Sequence, residues 1–397
     1  MNKLFPIFII AVLLLSLGSV SWGQDQPKVL KIGIATALTG PGAGWGIPFR
    51  DATILLDGKI IVIGGEKYEV KLVYEDNKYT AKDGVTAMEK LVFDHKVKFV
   101  ACMGTPPTMA TIPIAEENKV ILTGVTTVAQ AAKPGIKYFF RLILTSKDMY
   151  PTTYRWLSKN RPNLKRIAQL APQVEQGEAS IKAGTALAAK YGLEMVYQEF
   201  YKPGTQDFYP HLTKMIRAKP DILDVCISFP AVTALIIKQA RELGWKGVVF
   251  NVAGADPEDI IKVAGVEAAE GYMTFVGSTE YDMSSPVCTK TEQEFYKKYF
   301  NKYGYFRLGA GMWYDNASII VNAIQKAQSF DVEKVRKIME TEVLESVAGP
   351  SKFGIQEYGG HQLLVPMYIS KITKGKAETF ARIEWKDWAR EAGYTMP

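Results

Sequence analysis

From Val29 onward the chain alternates short β-rich runs with stretches of helical period, and that rhythm constrains the fold more than any other feature. Strand, helix, strand repeated along a chain implies parallel sheets with crossover helices. The spacing predicts strands over 29–35, 69–74, 97–103 and 120–122, with helices over 82–95 and 107–118 between them. In the first of these helices Val85, Met88, Leu91 and Val92 share one face. Ile60–Ile63 followed by Gly64-Gly65 reads as a small hairpin. The pattern then repeats, with strands expected at 166–170, 195–200, 222–228 and 248–251. Helices are expected over 149–159, 178–191, 208–218, 232–243 and 257–264, two of them closed by Gly192 and Gly244. Two successive units of about 120 residues result, each large enough for one doubly wound domain. Helices over 287–303, 311–328 and 332–342 follow, then a β-rich end over 351–355, 365–371 and 379–385 with a turn at Gly359-Gly360. No low-complexity linker separates the halves, so a hinge of a few strands is expected.

The N-terminus indicates the compartment. Residues 1–23 have the parts of a secretory signal: Lys3, an apolar run from Phe5 to Val20, and Ser21-Trp22-Gly23 with small residues at the −3 and −1 positions. Cleavage is expected before Gln24. The apolar run is about 16 residues, short of the roughly 20 that a spanning helix needs. No cysteine lies near the cut, so a free periplasmic protein is expected rather than a lipid-anchored one. Of the 397 residues, 374 follow the signal, too many for one ordinary core. Losing Lys3 lowers the formal charge from +7 to +6, and the basic residues interleave with acidic ones. No basic stripe with interleaved aromatics occurs, so nucleic acid is not an expected partner.

Cys102, Cys226 and Cys288 are widely separated, with no CxxC and no metal spacing. Cys102 and Cys226 sit in strand-like apolar runs and read as small buried hydrophobes. An odd count in an oxidising compartment leaves at least one free thiol. His95, His211 and His361 are isolated. No metal and no cofactor is expected. A periplasmic enzyme would need a nucleophile–base pair, for which these histidines offer little.

Gly40-Pro-Gly-Ala-Gly-Trp-Gly46 follows the first strand and precedes a helix, where a dinucleotide fingerprint would sit. The spacing fails in both registers, since Trp45 or Ile47 takes the third glycine's place. The turn can instead wrap a ligand, with Trp45 as a flat face. Gly104-Thr105-Pro106-Pro107-Thr108 marks a helix N-terminus, where free N–H groups and the helix dipole favour a carboxylate. Capping by Thr105 or Thr108 is the simpler alternative. Thr123-Gly-Val-Thr-Thr-Val128 brings hydroxyls and carbonyls, including those of Thr126 and Thr127, to another strand's carboxyl end. Ligands of open α/β sheets bind there. In the second unit the comparable loops hold Phe229-Pro230 and Asn251–Asp256; Tyr150 and Phe229 are candidates to close over a ligand, or to be core.

Several stretches together resemble the leucine/isoleucine/valine-binding proteins, of type I periplasmic binding-protein fold. They are Lys31-Ile-Gly-Ile-Ala-Thr-Ala-Leu-Thr-Gly-Pro41, Tyr74-Glu-Asp-Asn77, Lys137-Tyr-Phe-Phe-Arg141, Lys238-Gln-Ala-Arg-Glu-Leu-Gly244, Ala268-Ala-Glu-Gly271 and Gly349-Pro-Ser-Lys-Phe-Gly354. The resemblance implies an α/β fold of two doubly wound parallel-sheet lobes joined by a three-strand hinge, crossed near 145–148, 272–277 and 346–350. Lobe 1 would comprise 24–147 with 275–347, and lobe 2 148–274 with 348–397. It further implies a monomer that closes on a small-molecule solute and docks with the permease and ATPase subunits of an ABC importer; a sensory module for a membrane receptor would use the same clamp.

In amino-acid-binding members a hydroxyl that holds the ligand carboxylate falls on Thr105, and the aromatic at the mouth falls on Trp45. Two positions that hold the α-ammonium fall on Val128 and near Ala253, with Asp256 close by. A buried ammonium without a partner is costly. A carboxylate lacking an amino group, stacked on Trp45, is therefore expected, with a branched-chain amino acid as the alternative.

Overall fold

The β-rich runs assemble into two sheets, each covered by helices, so that the molecule is two α/β lobes. The computed structural model describes residues 26–276, 285–305, 307 and 309–395; the expected signal, 1–23, lies outside the described residues. The first unit supplies β1 (Lys28–Thr36), α1 (Ala43–Thr53), β2 (Ile60–Ile63), β3 (Glu66–Asp76), α2 (Ala81–Glu89), β4 (Phe99–Met103), α3 (Thr105–Asn118), β5 (Ile121–Val125) and β6 (Phe139–Arg141). The second supplies α4 (Ser146–Asn160), β7 (Arg166–Pro172), α5 (Glu175–Leu187), β8 (Glu194–Tyr201), α6 (Tyr209–Arg217), β9 (Ile222–Asp224), α7 (Pro230–Glu242), β10 (Val248–Asn251), α8 (Pro257–Ala264), α9 (Val266–Ala269) and β11 (Met273–Val276). After these come α10 (Lys290–Tyr303), α11 (Ala310–Ala327), α12 (Val332–Thr341), β12 (Phe353–Gly354), β13 (Gln362–Leu363), β14 (Met367–Thr373), β15 (Lys376–Ile383) and α13 (Trp385–Glu391).

The first sheet has the order β12-β13-β6-β5-β4-β1-β3-β2, and the second β15-β14-β11-β10-β9-β7-β8. β1 runs parallel to both β3 and β4, and β7 parallel to both β8 and β9. The chain therefore reverses direction of winding between β1 and β4 in one lobe and between β7 and β9 in the other. Such switch points leave a crevice at the carboxyl ends of the strands. Every residue of β4 and β5 is buried, as expected of parallel strands covered on both faces. The expected hairpin is present: β2 pairs antiparallel with β3, and Gly64 and Gly65 both have positive φ, 59° and 83°, as a two-residue type I′ turn requires.

α11 returns to the first lobe, placing Trp313, Ala317 and Ile320 in the same core cluster as Ile32 of β1 and Phe99 of β4. The C-terminal strands divide differently from expectation. β14 and β15 extend the second sheet, but β12 and β13 join the first, with Gln362 opposite Arg141 of β6. Side chains decide this. The fully buried Arg141 donates from Nε to Gln362 Oε1 at 2.7 Å, and its backbone N–H donates to His361 O at 2.9 Å. The third passage between sheets consequently lies at 364–366 instead of 346–350. The first lies at 142–145, where Thr145 and Asp148 form a reciprocal capping box that starts α4.

Candidate functional site

A small cavity of about 30 Å³ lies between the two sheets. Its walls come from residues just past the carboxyl ends of parallel strands: Trp45 after β1, Tyr79 after β3, Thr105 after β4, Thr126 and Thr127 after β5, Gln176 after β7, Ile227 after β9 and Ala253 after β10. Trp313 of α11 completes it. Topology alone thus brings seven strand ends from two sheets to one place.

The glycine-rich turn after β1 fits tightly instead of cradling a phosphate. A Cβ on Gly46 would lie 1.9 Å from Ala37 O, so only glycine lets α1 sit against the end of β1 and carry Trp45 to the cavity. A Cβ on Gly42 would lie 2.5 Å from the Tyr79 ring, so that glycine makes room for Tyr79. Tyr79 itself sits in a left-handed turn, with φ 46° at Lys78 and 62° at Tyr79. Asp76 and Asn77 hold the turn by accepting from the Lys78 and Tyr79 N–H groups at 2.9 and 3.0 Å. Burial pushes the Tyr79 phenol well above its ordinary range.

The second lobe answers with a matching turn. Cys226 and Ile227 have φ of 52° and 59°. For non-glycine residues each such conformation costs about 1–3 kcal/mol and persists only where surroundings enforce it. Phe229, the N-cap of α7, then projects across the cleft, its ring 5.0 Å from Trp45 and 5.1 Å from Tyr79 between centroids. These three rings pack against one another across the cleft.

The expected site residues divide. Trp45, Thr105, Thr126, Thr127 and Ala253 line the cavity, and Phe229, outside the lining, packs against the Trp45 and Tyr79 rings. Val128 does not; Thr126 Oγ1 accepts from its N–H at 3.3 Å, and its side chain faces a neighbouring groove with Lys147 and Lys182. Tyr150 does not close over a ligand either. It is fully buried inside the second lobe, and its hydroxyl donates to Asp224 Oδ2 at 2.7 Å. Sequence reasoning missed Tyr79, Gln176, Ile227 and Trp313. The first three follow strands directly, so the carboxyl-end rule contained the signal; Trp313 comes from a helix far along the chain and gave none.

None of the thirteen lining residues is charged. Polar atoms wait there nonetheless. Among the described residues, Thr127 Oγ1 and Gln176 Oε1 are buried without a hydrogen-bond partner. Thr105 opens the fourteen-residue α3, whose N-cap, Gly104, has no side chain to cap it. Asp256, the nearest acidic residue by sequence expectation, is committed elsewhere: its Oδ1 accepts from the Glu258 N–H at 3.0 Å, and its Oδ2 lies 3.5 Å from Arg307 Nη1. Cys102, Cys226 and Cys288 are all buried.

The comparisons agree with this fold. A leucine-, isoleucine-, valine-, threonine- and alanine-binding protein of Pseudomonas aeruginosa is 25% identical over 365 residues, covering 90% of this chain and 92% of its own. The crystal structure of a leucine-binding protein from Thermotoga maritima superposes with a TM-score of 0.79 at 24% identity, covering 90% of this chain and 99% of that one. An ABC-transporter solute-binding protein from Rhodopseudomonas palustris in complex with benzoate superposes with a TM-score of 0.77 at 16% identity, covering 90% and 96%. The model of one family spans residues 29–377, nearly all of both lobes and the cavity between them, and the chain accordingly belongs to the periplasmic binding proteins.

Proposed function

We propose that the cavity captures a small carboxylate without a free amino group, aromatic or apolar in its body, and that the protein delivers it to the permease and ATPase subunits of an ABC importer. The observation that carries this reading is the absence of charge among the lining residues. An ammonium held there would face no carboxylate, and an uncompensated buried cation costs several kcal/mol, on the order of 1–4 orders of magnitude in affinity. A carboxylate fares differently. The N-terminal turn of α3 offers backbone N–H groups and the positive end of the helix dipole, with the hydroxyls of Thr105 and Thr127 as further donors. Trp45 and Tyr79 give the rest of the molecule flat apolar walls. The benzoate complex of the Rhodopseudomonas palustris protein is in keeping with such a ligand.

In this reading the first lobe comprises 26–141 with 285–363 and the second 146–276 with 367–395. Closure about the three connections brings Phe229 onto Trp45 and Tyr79.

One observation favours a second reading. The unpartnered Gln176 Oε1 could accept from an ammonium, and the Pseudomonas aeruginosa relative carries the name of an amino-acid binder.

A thermal-shift panel separates the two, because a ligand that binds only the folded state raises the melting temperature by mass action. Benzoate and short apolar acids should shift it, and L-leucine should not. A larger shift with L-leucine than with any plain acid would overturn the proposal. Thr105→Val should weaken the bound acid by roughly tenfold, the scale of one hydrogen bond to a charged group, with the melting temperature of the unliganded protein little changed.

A further inference from the structure

The turn that ends β9 is held by buried hydrogen bonds on both sides. Asp224 sits fully buried beneath it. Its Oδ1 accepts from the Cys226 N–H at 2.8 Å, and its Oδ2 accepts from Tyr150 Oη at 2.7 Å and from Gln169 Nε2 at 2.8 Å. Beyond the turn, Ser228 O accepts from Asn251 Nδ2 at 3.1 Å and from Thr233 Oγ1 at 3.3 Å, while Tyr201 donates to Ser228 Oγ at 2.6 Å. Between these two clamps lie Cys226 and Ile227, both left-handed. A β-branched residue is a rare occupant of that region, where glycine or asparagine would rest without strain. Ile227 is the residue of the turn that lines the cavity, and Phe229 two residues on packs against the lining rings of Trp45 and Tyr79.

We propose that Ile227 is a specificity-determining residue of the solute site and that Asp224 is the positioning residue that holds it, through the Cys226 N–H, in a backbone conformation it would otherwise leave. The strain has a use: it aims a branched aliphatic side chain at the bound molecule from the second lobe, opposite Tyr79, which the first lobe presents from a left-handed turn of its own. The solute part of this inference rests on the cavity being the binding site proposed above.

Two measurements test it on the full chain. The first needs no ligand: urea unfolding of the wild type, Ile227→Gly, Asp224→Asn and the double variant. Ile227→Gly should leave the midpoint unchanged or raise it, although it deletes a buried side chain, because glycine relieves the left-handed strain. Asp224→Asn, which turns one of the two accepting oxygens into a donor and so breaks up the three-bond clamp, should lower the midpoint, and by much less in the Ile227→Gly background. Additive effects, or an Ile227→Gly loss as large as for an ordinary buried isoleucine, would overturn the positioning role. The second is calorimetric titration with benzoate and isovalerate, an aromatic and a branched apolar acid, as probes. Ile227→Val and Ile227→Gly should change the ratio of the two affinities by about tenfold, the scale of a methylene in an apolar pocket. An unchanged ratio would overturn the specificity role. Should neither probe bind the wild type while the unfolding effects remain coupled, the solute reading fails and the strained turn stands.

Discussion

Trp45 touches rings from both lobes, with Tyr79 at 5.9 Å and Phe229 at 5.0 Å. An aromatic pair contributes about 0.5–1.5 kcal/mol beyond its buried area, and Trp45 also lines the cavity. Trp45→Ala should therefore weaken solute binding by roughly tenfold or more while leaving the fold intact, since the ring is only half-buried in the protein itself. Isothermal titration with whichever acid gives the largest thermal shift checks this; an unchanged Kd would reduce Trp45 to packing. The sequence exposed Trp45 because the glycines around it are unusual. Ile227 was hidden for the opposite reason: isoleucine in a β-rich run reads as strand core, and its left-handed backbone is imposed by Asp224, Gln169 and Tyr150, which lie far apart in sequence.

At the scale of elements, the strand–helix rhythm made the sheets legible, because parallel strands buried on both faces leave continuous apolar runs such as Phe99–Met103. Where strands go once made was not legible. β12 and β13 join the first sheet through Arg141 and Gln362, a pairing 221 residues apart that no local pattern announces. The segment before α11 shows a related long-range tie. Tyr303 donates to Asp51 O of α1 at 2.7 Å, which fixes that segment to the first lobe, and Arg307 then reaches Asp259 of α8 at 3.0 Å and Asp256 at 3.5 Å. This ion pair joins the lobes, and Arg307 is 27% exposed, so part of its strength survives screening. Arg307→Ala should raise the solute dissociation rate by roughly threefold, within the 0.2–1 kcal/mol of exposed pairs, and should flatten its dependence on salt. Stopped-flow release at two salt concentrations measures both; a rate unmoved at low salt would show that the pair does not hold the closed form.

The molecule as a whole is a binder, not an enzyme, and its family fixes that much. Its stability should carry a mark of the buried carboxyls. Burial pushes Asp315 up to about 8, against roughly 3.9 in an unfolded chain. Between those values the folded protein holds a proton that the unfolded chain does not, so rising pH favours unfolding until about 8. From about pH 6.5 to about 8 this group dominates, because burial leaves Asp224 at about 6 and lowers His361 below its usual range. The urea midpoint should therefore fall across that interval, and Asp315→Asn should flatten the slope. A midpoint that rises with pH there would contradict the assignment.

Two of the buried thiols, one in each lobe, acquire a meaning at this scale. Burial holds the Cys102 thiol at about 11 and the Cys226 thiol well above its ordinary value, so neither is a nucleophile while covered. Cys226 sits inside the strained turn and Cys102 beside Asn77, which steadies the turn of the other lobe. An alkylating reagent can react only with whichever thiol a local opening has uncovered. Each lobe thus has its own chemical stopwatch, and the ratio of the two labelling rates reports which side of the cleft loosens first.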